Sequence, residues 1–224
     1  MRTKYFDIQP IVSVDLQTES IEGKRYYVTP NGKYPSVTTI LGAMSADGIK
    51  AWIKKVGKEE AARISNTAST RGVAVHTIAE NYLLNKEDYT EGHTPANIET
   101  FNQIKVYLDD HCDQVYGNEI ALYSDDLRTA GRCDLVGRIH GIRTIGDFKT
   151  SKKWKKEEWI ESYFLQCTTY ALMLHERHGV WCPQICVMMA TDADGLQPVL
   201  KQTSKYVEKV RHFFDDWHAN NAKK

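Results

Sequence analysis

The stretch GRCDLVGRIHGIRTIGDFKTS, Gly131 to Ser151, carries two apolar runs joined at His140 and Gly141. A two-residue connection of this kind closes an antiparallel hairpin, although Asn-Gly would be the stronger signal. Taking His140 and Gly141 as the turn pairs Ile139 with Ile142, and counting outward sets Asp134 opposite Asp147. Side chains opposed in this way lie about 4.5–5.5 Å apart. Like charges directly opposed in a sheet are destabilising, and a divalent cation bridging the two carboxylates compensates for them economically. Alternation puts Lys149 on the same face as Asp147. An aspartate pair plus a lysine is the minimum set for metal-assisted phosphodiester hydrolysis. Carboxylate oxygens hold Mg²⁺ or Mn²⁺, the metal polarises a phosphoryl oxygen and acidifies a water, and the lysine orients or helps deprotonate that water. A purely structural alternative has both aspartates capping solvated strand ends with the lysine neutralising them. It must then explain why acids interrupt runs as apolar as CDLV and TIGDF.

Around this hairpin the patterns change along the chain. Residues 1–45 alternate and carry turn signals, TPNGK among them, which predicts a β-rich N-terminal lobe. From 46 to 113 the pattern is helical, through IKAWIKKVG, EEAARISNTASTRGVAVHTIAENYLL and ANIETFNQIKVYLDDHC, and predicts a helical arch or wall. Residues 114–224 hold the strands NEIALYS, GRCDLVGRI and IRTIGDFKT, then a long amphipathic helix over EEWIESYFLQCTTYALMLHERHG, two further strands and a closing helix. The expected fold class is α/β, a mixed sheet flanked by helices and forming one integrated domain.

Composition narrows the classes. The 224 residues suffice for a sizeable core, and Lys plus Arg equal Asp plus Glu at 29 each. Net charge therefore favours no polyanion, and any such site must be a local patch. The apolar runs are too short to cross a bilayer and no signal-peptide pattern opens the chain, so the expectation is a soluble, cytoplasmic protein without a membrane partner. Five scattered cysteines suggest buried thiols in a reducing compartment rather than a disulfide framework. The chain lacks GxxxxGK[ST]. HERHG has one residue too few between its histidines for a metalloprotease helix.

GRCDLV followed by GDFKTSKK resembles motifs II and III of the PD-(D/E)xK nuclease superfamily, in particular its RecB-like exonuclease branch. RGVAVH resembles that branch's helical motif I, and QCTTY its QxxxY motif. YPSVTTIL with IKAWIKKVGKEEAARI is similar to the phage and mitochondrial genome maintenance type exonucleases that act on single-stranded DNA. The resemblance spans roughly residues 34–175. It implies a restriction-endonuclease-like core and a metal-dependent DNA exonuclease working in repair, recombination or replication.

Residue by residue, the resemblance implies catalytic roles for Asp134, Asp147 and Lys149. It implies metal ligation by His76, Asp134, Asp147, the backbone carbonyl of Phe148 and Glu119. Gln166 and Tyr170, one helical turn apart, would contact the scissile phosphate or a stacked base. Arg71 is a candidate phosphate contact, and Glu80, one turn beyond His76, an acceptor that orients it or helps hold metal. Lys152 and Lys153, with Trp154 beside them, form a plausible backbone track with a stacking platform. The expected cofactor is Mg²⁺ or Mn²⁺. No iron-sulfur cluster is expected, since the cysteines do not follow the pattern of cluster-bearing relatives. The expected partner is single-stranded DNA, together with other replication or recombination proteins. A catalytically silent nucleic-acid-binding module and a DNA endonuclease are the competing readings.

Overall fold

The computed structural model describes residues 5–221. The elements run β1 (Asp7–Ile8), β2 (Thr18–Ile21), β3 (Lys24–Thr29), β4 (Gly32–Pro35), α1 (Val37–Leu41), α2 (Ala46–Val56), α3 (Lys58–Leu83) and α4 (Pro95–His111). They continue as β5 (Cys112–Ser124), β6 (Thr129–Ile139), β7 (Ile142–Ser151), α5 (Glu161–His178), β8 (Gln184–Thr191), β9 (Gly195–Gln202) and α6 (Val207–Asn221). The main sheet has six strands in the order β1-β5-β6-β7-β8-β9, and β2-β3-β4 form a separate three-stranded sheet. This is a mixed α/β fold, as the patterning predicts.

The central hairpin has the expected register. Strands β6 and β7 pair from Ile139↔Ile142 out to Leu135↔Gly146. His140 and Gly141 make the turn with φ of 52° and 75°, the left-handed pair whose twist matches that of the flanking strands. Gly146 is required by packing, because a Cβ there would lie 3.0 Å from Leu135 Cδ2 and 3.1 Å from Met188 Cε. The recorded pairing stops at Leu135↔Gly146, one residue short of the two aspartates. At the end of this register Asp134 Oδ2 accepts the Phe148 backbone N–H at 2.8 Å.

Strand β7 also pairs in parallel with β8, with Asp147↔Val187 and Lys149↔Met189 in register. Helix α5 supplies the crossover that a parallel pair needs. Strand β8 is buried along all but its first residue, as expected where helices cover both faces of a sheet. On one face Ile145, Val187 and Met189 pack with Leu165 of α5 and Phe214 of α6. On the other, Phe148 and Met188 pack with Val75 and Ile78 of α3 and Phe101 and Leu108 of α4. Helix α4 is anchored by Phe101, whose ring meets Tyr82 at 5.5 Å and Tyr89 at 6.0 Å edge-on.

The N-terminal segment differs from its alternating pattern at SVTTIL. Val37–Leu41 is a helix, and Ser36 caps it by accepting the Thr39 N–H on its hydroxyl at 3.0 Å. The β-branched run reads as strand, but the cap and the burial of Val37, Ile40 and Leu41 outweigh that preference. Helices α2 and α3 are separated at Gly57, whose φ of 89° is open to glycine at little cost. The 26 residues of α3 extend about 39 Å. Tyr27 and Leu16 pack against Ala121 and Ala130, and this contact seats the small sheet on the main one.

Phe101→Ala should cost about 3–5 kcal/mol through the cavity it leaves, and Ser36→Ala about 1 kcal/mol through loss of the cap. Urea denaturation measures both. Equal and small losses would contradict the described packing of α4.

Candidate active site

A cleft of about 640 Å³ opens where the β6–β7 pairing stops. Its floor is Glu119 of β5, Gly131, Arg132 and Asp134 of β6, Lys149 of β7, and Gln166 and Tyr170 of α5. One wall is α3, through Gly72, Val73, His76, Thr77 and Glu80. The opposite wall comes from the N-terminal segment, through Leu16, Thr18, Arg25, Tyr27, Ser36, Val37 and Thr38. Sequence patterning did not place that second wall over the site.

Three side chains from three distant elements converge in it. His76, Glu119 and Asp134 each bring a ligand atom within 4.8 Å of the others. His76 Nδ1 lies 3.6 Å from both Glu119 Oε1 and Asp134 Oδ2. Its Nε2 is 2.9 Å from the Phe148 carbonyl, which can only accept, so Nε2 carries a proton. Burial pulls the His76 imidazolium down, but the Glu119 hydrogen bond and the Asp134 charge outweigh it and raise its pKa to about 9. Glu119 enters the cluster from a left-handed backbone, φ 52°. Its carbonyl is held by Arg132 Nη1 at 2.9 Å, while Arg132 Nη2 pairs with Asp15 at 2.8 Å.

Asp147, 1% exposed, belongs to a neighbouring network. Gln166 Nε2 donates to its Oδ1 at 2.9 Å, and Lys149 Nζ lies 2.5 Å from its Oδ2. Burial raises the Asp147 carboxyl to about 6, against the Lys149 charge that lowers it. Burial likewise raises Asp134, opposed by His76 and Lys149. Lys149 is held up by Asp147 and Asp134 against the downward pull of burial, so it stays an ammonium. The Tyr170 ring lies over Gly131, where a Cβ would come within 2.8 Å of the ring and of its hydroxyl. Burial pushes that phenol well above its usual range, which keeps it a donor.

The other expected site residues fall less centrally. Asp147 and the Phe148 carbonyl are adjacent to the His76, Glu119 and Asp134 trio but are engaged by Lys149, Gln166 and His76. Glu80 lines the cleft one turn beyond His76. The acceptor at His76 Nε2 is the Phe148 carbonyl. The Glu80 backbone carbonyl instead receives Asn118 Nδ2 at 2.8 Å. Arg71 is outside the lining and forms an ion pair with Asp192 at the β8–β9 turn. Lys152 and Lys153 are exposed on the β7–α5 connection. Trp154, 55% exposed, is fixed there by its backbone N–H on Asp194 at 2.9 Å and its indole N–H on the Gly195 carbonyl at 3.3 Å. All five cysteines are buried thiols, and among the described residues no helix is long and apolar enough to cross a membrane.

The trio fits a divalent cation. It offers two hard carboxylates and one imidazole nitrogen, the donor set suited to Mg²⁺ or Mn²⁺. The acids Glu119, Asp134 and Asp147 are met directly by His76 and Lys149. Burial is the main cause of the raised carboxyls, and the two cations offset it only in part. Metal binding there would displace the proton from His76 Nδ1.

No family model and no curated protein matches the chain. Among solved structures it is similar to the crystal structure of a "putative exonuclease" from Eubacterium rectale, with 14% sequence identity and a TM-score of 0.44, over 67% of this chain and 64% of that one. The chain thus spans somewhat under two thirds of that protein, and a likeness of this size carries no argument about its chemistry.

Mg²⁺ or Mn²⁺ should raise the melting temperature of the protein, since a ligand held only by the folded state stabilises it. The increase should vanish in Asp134→Asn and in Glu119→Gln. An equal increase in those variants would place the cation elsewhere.

Proposed function

We propose that this chain is a divalent-metal-dependent nuclease, an exonuclease acting on single-stranded DNA with a free end. The observation that carries the reading is the convergence of His76, Glu119 and Asp134 in one cleft, with Lys149 on the same floor. Their ordered spacing along the chain, with the GRCDLV and GDFKTSKK motifs, supports the same chemistry.

In this reading His76, Glu119 and Asp134 hold the cation. A bound Mg²⁺ or Mn²⁺ supplies polarisation of a phosphoryl oxygen and acidification of a water. The residues of the chain do the rest. Lys149, kept charged by Asp147, orients the attacking water and offsets negative charge growing on the phosphate. Gln166 fixes Asp147 from the far side, and through it the aim of the ammonium. The Tyr170 hydroxyl, at the cleft floor and protonated, donates to a phosphate oxygen. Lys152 and Lys153 provide diffuse attraction for the backbone on the β7–α5 connection.

Preference for a single strand is supported by the two walls. Helix α3 and the N-terminal segment flank the acids from both sides, and a flexible strand entering by its end fits such a cleft more readily than a duplex. Backbone contacts and stacking would guide it without reading sequence.

End-labelled single-stranded, duplex and covalently closed circular single-stranded DNA, incubated with Mg²⁺, Mn²⁺ or chelator, test the reading. The linear single strand should be degraded only with metal, and the circle should survive. Rapid nicking of the circle would favour an endonuclease, and binding without cleavage a silent module. Lys149→Ala should lower turnover by about 10²–10⁴-fold with substrate binding retained. A loss confined to affinity would remove Lys149 from the chemistry.

A further inference from the structure

The wall opposite α3 contains a cation with no carboxylate partner among the described residues. Of the three lysine and arginine side chains lining the cleft, Lys149 is paired with Asp147 and Arg132 with Asp15. Arg25 lines the same cleft and is exposed, and among the described residues no carboxylate pairs with it. Its placement follows from strand geometry. Tyr27 on β3 is buried against Ala121 and Ala130 of the main sheet. Arg25, two residues earlier, therefore shares that inward face, but lies beyond the packed contact, at the cleft. Its backbone is held: the Arg25 carbonyl accepts the Ser36 N–H at 2.9 Å and the Thr39 hydroxyl at 3.3 Å. A guanidinium on a fixed strand, facing a cleft and lacking a carboxylate, suits a phosphate oxygen pair.

Across the cleft, α3 has a glycine in its interior. Gly72 lines the cavity, and a Cβ added to it would meet nothing within 4 Å. Its φ is not in the left-handed range. Neither packing nor backbone conformation explains a residue that weakens a helix. A bare stretch of helix does allow the close approach of a ligand's backbone.

We propose that Arg25 of β3 and the Gly72 turn of α3 form a subsite for one phosphodiester of a single-stranded nucleic acid, separate from the acid cluster. Arg25 grips the phosphate, and the sugar-phosphate chain lies against Gly72. The assignment rests on the nuclease reading for its choice of ligand and adds a binding element that the motifs do not contain. It also gives the small sheet a function: β3 carries the gripping residue, and Tyr27 sets where it points.

The test is equilibrium binding of a short fluorescein-labelled oligothymidylate in chelator, followed by anisotropy over a range of salt. Arg25→Ala should weaken binding about tenfold and reduce the slope of log affinity against log salt by about 0.7. Arg25→Lys should keep the slope and recover part of the affinity. Gly72→Ala should raise the melting temperature by about 2–4 °C while weakening binding, a combination that a purely structural glycine does not produce. Absence of oligonucleotide binding by the unmodified protein, unchanged affinity and slope in Arg25→Ala, or unchanged binding in Gly72→Ala would each overturn the subsite. The two readings separate cleanly. Arg25-dependent binding with no hydrolysis in Mg²⁺ or Mn²⁺ removes the nuclease and keeps the subsite. Hydrolysis with binding indifferent to Arg25 does the reverse.

Discussion

A carboxylate buried in the middle of a six-stranded sheet is costly unless its charge is met, and Asp147 is met by Lys149 and Gln166. Much of the local architecture serves that requirement. Lys149 must be two residues along the same strand, so β7 has to continue past the point where its pairing with β6 ends. Gln166 must approach from the crossover helix, so β8 has to run parallel to β7. Where β6 separates from β7, the backbone N–H and carbonyl of Phe148 are left without a β6 ladder partner. Asp134 takes the N–H and His76 the carbonyl. The backbone of one residue thus links the second acid of the hairpin to a histidine more than seventy residues earlier in the chain.

The hairpin was readable because its determinants are local. A two-residue turn fixes the pairing, and apolar alternation fixes which side chains are inward. The same local logic did not show where the ladder would stop, since that depends on Gln166 and His76 arriving from elsewhere. SVTTIL misled for the opposite reason: a β-branched run has a local strand preference, and only the burial of Val37, Ile40 and Leu41 against the core makes the Ser36 cap decisive. Arg71 and Trp154 show a third kind of difference. A basic or aromatic side chain next to a motif suggests a ligand contact, but both are committed to the β8–β9 turn, Arg71 through Asp192 and Trp154 through Asp194 and Gly195. The available signal in the sequence was the acid pair Asp192 and Asp194 flanking a tight turn, which carries no information about what it will meet.

The small sheet was predicted as β-structure, with the TPNGK turn in place between β3 and β4, but its position over the cleft was not. Nothing in residues 18–35 marks them as a wall. What places them is the fit of Tyr27 and Leu16 onto Ala121 and Ala130, two small residues of the main sheet that leave room for large ones. Contacts of this size-complementary kind have no periodicity of their own, which is why Arg25 draws no notice in the sequence and becomes conspicuous only beside its paired neighbours.

Several departures from regular structure meet at this cleft. Glu119 adopts a left-handed backbone within a strand, the β6–β7 pairing ends early, Gly72 sits inside a helix without a steric reason, and the carboxyls of Asp134 and Asp147 are raised. Each is locally unfavourable, and folding alone requires none of them at that place. Strain and under-compensated charge persist where the surrounding structure over-determines them, and they gather at sites that bind or react. Away from the cleft the chain keeps buried thiols and a parallel strand of nearly unbroken apolar residues. The contrast argues that the cleft is maintained against the preference of its parts. A ligand that brings positive charge to the acids and negative charge to Arg25, as a divalent cation with a phosphodiester does, would relieve both imbalances at once.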